Sequence, residues 1–304
     1  MQKGPLRDYG QDRPVNLPVY PEFKAVGLED RDAFRVFQSR CPVEVCEMVF
    51  GNIFIWRNFD HPRFTIINDN LCVRLEPPDE PAYFLQPFGT TIIPETIRTC
   101  LEHAPRLSRI PASFAGKFCS AGFHCAADPD NFDYVYETRD LIELKGKKYD
   151  GKRNRIRKFE RSHAHRYVEL TADHLAACHR LFEEWAGKKD SPNPMAGAQR
   201  DAIEQALTHF EALQMSGGAI EVEGTVAAFS IGEQLNPDTA VIHIEIVSPK
   251  HEGLAQLMNR EFVKNGLASY AFINREQDMG VPGLRRAKQS YHPHHLVEKH
   301  HIWK

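Results

Sequence analysis

Between Asn274 and Lys288 the sequence NREQDMGVPGLRRAK crowds amide, acid and base side chains behind a short apolar run, SYAFI, at Ser269 to Ile273. That run has the length and aromatic content of a buried strand. Gly280 and Pro282 then mark a turn into a helix whose first turn tolerates proline. The polar residues therefore sit at the carboxyl end of a strand, the edge where open α/β sheets gather ligands. Asn274, Glu276 and Asp278 are suited to hold an amino group, and Arg285 and Lys288, three apart on one helical face, an anion. The same spacing also permits a self-satisfied ion cluster in which the two acids pair with Arg285 and Lys288.

A second constellation lies in VIHIEIVSPKHEGLAQ. His243 and Glu245 share a face of one strand because alternate residues point the same way. A carboxylate there can accept a proton from an attacking amine, with His243 as assistant or substitute. The alternative is a buried pair in which each satisfies the other. Lys250, Gly253, Leu254 and Ala255 then join the strand to a helix. Small residues at a helix amino-terminus let free N–H groups approach a pyrophosphate, and the dipole and a lysine favour its charge. An ordinary strand-to-helix turn is the competing reading.

Composition narrows the classes. The chain has 304 residues, 42% apolar and 26% charged, which is an ordinary globular balance with room for about two domains of ~150 residues. No apolar run approaches the ~20 residues of a membrane-spanning helix, so no integral membrane association is expected. The opening MQKGPLRDYGQDRP lacks the apolar core of a secretory signal. Seven scattered cysteines with no C-x-x-C pair predict a reduced, cytoplasmic protein. The histidine groups at 163 to 165, 292 to 295 and 300 to 301 lack ligand spacing and a supporting carboxylate motif, so no metal is expected. Hydrolase, NTPase and dinucleotide motifs are absent.

Net charge is −3, yet residues 145 to 166, KGKKYDGKRNRIRKFERSHAHR, carry ten Lys or Arg against Asp150 and Glu160, a local +8. Ile156 and Phe159 give the block an apolar seam at helical spacing, so it reads as a docked helix rather than a tail. It can be a solvated face, or it can meet a phosphate-bearing ligand, with Lys152, Arg153 and Asn154 as contacts.

These residues need elements to position them. Residues 1 to 22 read as a partly ordered arm. Residues 23 to 150 begin with a helix at Leu28 to Arg40. NIFIWRN, RFTIINDNLCVRLE and AYFLQPFG then read as strands, with a hairpin at Asn68, Asp69 and Asn70. A helix with Pro94 near its start follows. Residues 151 to 304 run helix, helix, strand, strand, strand, helix, strand, helix, strand. Thr171 and Asp173 cap the first of these helices, Glu223–Gly224 turns the first two strands, and HLVEKHHIW closes as an edge strand.

That order resembles the Gcn5-related N-acetyltransferase fold. LKGKKYDGKRNRIRKF and INREQDMGVPGLRRAKQSYHP are similar to the soluble domain family related to the carboxyl-terminal domain of phosphatidylglycerol lysyltransferase, from about Gly27 onward. The resemblance implies an α/β (α+β) chain of tandem acetyltransferase-like domains, each a mixed, mostly antiparallel sheet flanked by helices. It places the ligand channel in the second domain and the basic segment at the junction. It also implies that Tyr291, in SYHP, can protonate a leaving group, although a core aromatic with an exposed hydroxyl fits the position too. Relatives have Lys-Ala after His-x-Glu, where this chain has Ile246 and Val247. The expected function is a transferase moving an acyl or aminoacyl group onto an amine or hydroxyl of a small molecule or peptide. Its co-substrate is acyl-coenzyme A or aminoacyl-tRNA, with no tightly bound cofactor and no DNA. The compactness of the basic block favours coenzyme A. A ligand-binding pseudoenzyme and a lipid lysyltransferase-like enzyme are the alternatives.

Overall fold

The computed structural model describes residues 17–119, 122–187 and 194–304. The first sheet runs in the order β1 (Lys24–Ala25), β2 (Arg63–Ile67), β3 (Asn70–Leu75), β4 (Tyr83–Phe84), β5 (Arg106–Pro111), β14 (Lys299–Trp303) and β6 (His124–Ala127). The second runs β13 (His295–Val297), β7 (Asp133–Glu137), β12 (Phe272–Asn274), β11 (Thr239–Val247), β10 (Thr225–Asn236), β9 (Ser216–Val222) and β8 (His165–Glu169). Among the strands of the described residues, β4 with β5 and β11 with β12 pair in parallel and the other pairs are antiparallel. The architecture is a tandem of α/β units, each a mixed, mostly antiparallel sheet flanked by helices.

Local chemistry explains much of this. Asn68 and Asp69 both take left-handed backbone angles, φ 49° and 61°, as a two-residue hairpin turn requires, and β2 pairs with β3. Glu223 and Gly224 do the same between β9 and β10. Pro94 falls in the first turn of helix Ile93–His103. Thr171 caps helix Ala172–Ala186, where its N–H donates to His174.

Three expectations need correction. NIFIWRN is helical, not extended: Phe50–Ile55 is an α-helix with every residue buried, and a short all-apolar run carries no period to separate the two states. The sheets do not divide the chain at residue 150. Strand β7 belongs to the second sheet and β14 to the first, so HLVEKHHIW splits into two strands in different sheets. Cys119 and Cys125 are disulfide-bonded, their Cα atoms 5.6 Å apart across the end of helix Ala112–Phe118 and the start of β6, while the other five cysteines are free. Of the expected arm, residues 1 to 16 lie outside the described residues. Beyond them, Ile66 N–H donates to the Pro18 carbonyl at 2.8 Å and Val19 bridges Ile66.

Among the described residues three apolar clusters hold the fold together. The largest joins the units: Phe34, Phe50, Ile53 and Phe54 of the first pack with Leu207, Phe210 and Phe229 of the second. The basic helix Asp150–Ser162 docks by Ile156 and Phe159, both about 1% exposed, against Leu254, Met258 and Phe262. Those two side chains contribute about 1.5–3 kcal/mol each, enough to pin a helix whose remaining face is charged. Among the described residues no helix is long and apolar enough to cross a membrane.

Candidate functional site

A cavity of about 730 Å³ opens between the two units. The first unit supplies Glu47, Asn52, Trp56, Phe59, Asp60, Asp79, Glu80, Tyr83, Arg109, Asp128 and Asp130. The second supplies Trp185, His243, Glu245, Ala255, Gln256, Arg275, Glu276, Lys288 and Tyr291. Eight acidic side chains thus line the cavity with Arg109, Arg275, Lys288 and His243.

The transfer floor comes from β11 and the loop after β12. His243 and Glu245 do share a face, and both line the cavity. The His243 ring is 1% exposed and lies 2.7 Å from Glu276 through Nδ1 and 3.0 Å from Glu233 through Nε2. Burial alone would strip its proton, but hydrogen bonds to the two glutamates outweigh that and raise its pKa to about 10. The ring is therefore a fixed imidazolium near neutral pH and not a proton acceptor. Glu245 sits 3.4 Å from both Arg275 and Asn259. Lys288 is 9% exposed and donates to the carbonyls of Arg275 and Glu276. Burial, reinforced by the Arg275 charge, lowers its pKa to about 8. Tyr291 is a cavity wall with its phenol pushed up to about 12 by burial. Arg275 lies over its ring at 4.8 Å and Lys152 at 3.8 Å.

The other anticipated residues lie elsewhere. Asn274 is fully buried and structural, donating to Asp133 at 2.9 Å and accepting the Glu276 N–H at 2.7 Å. Asp278 accepts from Tyr134 at 2.6 Å and from two Arg285 nitrogens at 2.8 and 2.9 Å, and Arg285 reaches on to Asp130. The ion-cluster reading thus holds for Asp278 and Arg285, while Glu276 and Lys288 face the cavity. Lys152 donates to Ser290 at 2.7 Å and Arg153 to the carbonyls of Leu144 and Gly146, so both brace the basic helix. Asn154 is exposed on it. Lys250 is exposed and pairs with Glu184 at 3.4 Å, away from the cavity. Gly253, with φ +94°, leaves room for protein rather than ligand: a Cβ there would run into the carbonyl oxygen of Arg155. Leu254 is fully buried, and only Ala255 and Gln256 of that turn reach the cavity.

Several cavity residues carried no sequence signal because they come from distant segments of the first unit. Arg109, at φ +60°, bonds Glu80 at 2.8 Å and Asp128 at 2.9 Å. Asp60 is half-buried beside them, and desolvation, opposed by Arg109, raises its pKa to about 7. Below the cavity, Lys299 is fully buried with its ammonium 2.7 Å from both Asp133 and Glu47 and 3.7 Å from the Cys46 sulfur. Cys46, Glu47 and Asp133 bring ligand atoms within 4.8 Å of one another, but a lysine supplies the positive charge among them.

A tandem α/β chain with its cavity between the units, the NREQDMGVPGLRRAK loop forming one wall, matches a family model described as phosphatidylglycerol lysyltransferase, C-terminal, over residues 40–302. The chain belongs to that family. The lysyltransferase C-terminal family is of transferase kind, and solved structures agree on the fold. A conserved protein of unknown function from Bacteroides thetaiotaomicron is 30% identical, covering 92% of this chain and 98% of its own, with a TM-score of 0.86. L-PGS from Bacillus licheniformis is 15% identical over 96% and 94% of the two chains, with a TM-score of 0.63. FemX is 7% identical over 92% and 96%, with a TM-score of 0.59. No curated protein matches the sequence.

Proposed function

We propose that this chain is an aminoacyltransferase, taking its acyl group from a charged tRNA and passing it to an amine or hydroxyl of a small molecule or peptide. The supporting observation is the acid excess of the cavity, eight acids against two arginines, Lys288 and one imidazole. An aminoacyl ester brings an ammonium, which that field attracts, whereas coenzyme A brings phosphates, which it repels. The preference for coenzyme A drawn from the compact basic block gives way on this point. It gives way also because the helix amino-terminus at Gly253 is seated against Arg155. Arg155, Arg157 and Arg161 remain exposed on the basic helix, where they suit backbone phosphates.

The reaction then runs on groups already placed. The acceptor ammonium gives one proton to the free oxygen of Glu276, the nitrogen attacks the ester carbonyl, and the second proton it sheds passes through Glu245 to solvent. Lys288 and Arg275 lie on the same wall to offset the oxyanion. As the ester C–O bond breaks, the Tyr291 phenol gives its proton to the departing ribose oxygen and is reprotonated from the carboxylic acid.

Thermal-shift and filter-binding measurements test the donor. Aminoacyl-tRNA at ~100 times its Kd should stabilise the fold by about 2.7 kcal/mol, with affinity falling steeply with salt. The triple variant Arg155→Ala, Arg157→Ala, Arg161→Ala should lose that binding while keeping its unfolding temperature. Stabilisation by acyl-coenzyme A and none by aminoacyl-tRNA would overturn the proposal.

A further inference from the structure

Glu276 is held with unusual completeness for a loop carboxylate. Its backbone sits at φ +58°, a left-handed value that a non-glycine residue keeps only when its surroundings impose it. Its N–H donates to Asn274 at 2.7 Å, and its carbonyl accepts from Tyr134 N–H at 3.1 Å and from the Lys288 ammonium at 3.1 Å. On the side chain, Oε1 accepts from His243 Nδ1 at 2.7 Å and Asn52 Nδ2 at 3.3 Å. Among the described residues nothing bonds Oε2, and Glu276 faces the cavity.

Behind it stands a second carboxylate. His243 Nε2 lies 3.0 Å from Glu233 Oε1, on β10. Glu233 fits there because residue 51 is glycine: a Cβ at Gly51 would run into that carboxylate. A neutral imidazole donates through one nitrogen only, whereas here both nitrogens face carboxylate acceptors, so the ring must carry both protons. His243 is faced by Glu233 from β10, Glu276 from the loop after β12 and Asn52 from helix Phe50–Ile55. Glu276 is faced in addition by Lys288 and the Cys46 thiol.

We infer that Glu233 and His243 are positioning residues for Glu276: the doubly bonded imidazolium locks Oε1 so that Oε2 presents its charge to an ammonium in the cavity. The reaction served rests on the transferase reading above; the geometry does not. Without the imidazolium, Glu276 is free to swing onto Lys288, and the ammonium loses its seat although no residue touching it has changed.

The test uses the whole chain and L-alaninamide as the amine probe. In the wild type, histidine ring NMR should show His243 charged from pH 6 to 9, and calorimetry should show amine binding at pH 7.5. Glu276→Gln should abolish that binding. Glu233→Gln, which removes one of the two carboxylates holding the ring charged, should lower the ring pKa by about three units, leave the ring mostly neutral at pH 7.5 and weaken amine binding there several-fold. His243→Gln should be as weak. Should His243→Gln fail to fold, the wild-type and Glu233→Gln titrations decide alone. A ring neutral at pH 7 in the wild type, absence of amine binding there, or Glu233→Gln binding like wild type would each overturn the inference. Aminoacyl-tRNA binding, measured on the same samples, tests the donor separately. Its failure beside normal amine behaviour removes the transferase reading and leaves the positioning pair standing.

Discussion

Lys299→Met is the sharpest perturbation of the charge cluster beneath the cavity. The ammonium is fully buried and lies 2.7 Å from both Asp133 and Glu47, and Asp133 in turn accepts the N–H of Cys46 and an amide proton of Asn274, each at 2.9 Å. Burial opposes the Lys299 charge, yet Asp133 and the other groups around it raise the pKa above the ordinary lysine value. A lysine raised in this way stabilises fully below the unfolded value of about 10.4 and loses that contribution only as pH climbs through the higher folded value. Between pH 6 and 9 the wild-type contribution is therefore flat. Methionine fills nearly the same volume, so the loss is electrostatic and not a cavity. The fully buried Asp133 left without its cation, with the half-buried Glu47 beside it, costs about 3–5 kcal/mol. With an m-value of about 3 kcal/mol/M in urea, the midpoint should fall by roughly 1–1.7 M at pH 7.5. The deficit should shrink towards pH 4, where a proton can replace the missing cation. Adding Glu47→Gln and Asp133→Asn to Lys299→Met should recover most of the loss. Urea titrations at pH 4.5, 6 and 7.5 measure this. A deficit below about 1 kcal/mol, or one independent of pH, would refute the reasoning.

Three further outcomes are expected. Gly253→Ala should destabilise by about 1–3 kcal/mol, because the residue needs a left-handed backbone and its Cβ meets the Arg155 carbonyl; chemical denaturation reads this directly. Asp278→Asn should cost about 1–3 kcal/mol of stability through its bonds to Tyr134 and Arg285 while leaving amine binding in the cavity intact. Because hydrogen bonds to Arg285 and Tyr134 overcome burial and depress the Asp278 pKa, its wild-type contribution is present above the unfolded carboxylate value and disappears as pH falls through the lower folded one. Thiol titration of the unfolded chain should find five reactive cysteines before reduction and seven after, the added pair being Cys119 and Cys125.

What the sequence made legible was what short-range chemistry decides. Period-3.6 patterns announced helices Ala172–Ala186 and Leu254–Gly266, turn residues fixed the hairpins at Asn68 and Glu223, and alternation placed His243 and Glu245 on one face. The strand after Ser269 was anticipated too, though its paired part is Phe272–Asn274, carrying the first polar residue into the sheet. Long-range partners were not legible. Nothing local marks Asp133, Glu47 and Lys299 as one cluster, since their segments meet only through sheet order. A lysine opening an alternating strand was the one visible hint, and it reads equally well as an edge charge. Likewise Gly253 promises close approach of some backbone or ligand, and the sequence does not say that the Arg155 carbonyl fills the place.

The crossing of β7 and β14 between sheets has a consequence for synthesis. On a chain made from the amino-terminus, β5 and β6 emerge early, but in the finished molecule each pairs with β14 and they do not touch as neighbours. The first sheet therefore stays split, with two exposed inner edges, until residue 303 has left the ribosome, and edges of that kind recruit other chains. The second sheet likewise waits for its neighbours of β7, a strand translated long before them. Neither sheet can complete itself until β13 and β14 have been made, long after most of its other strands.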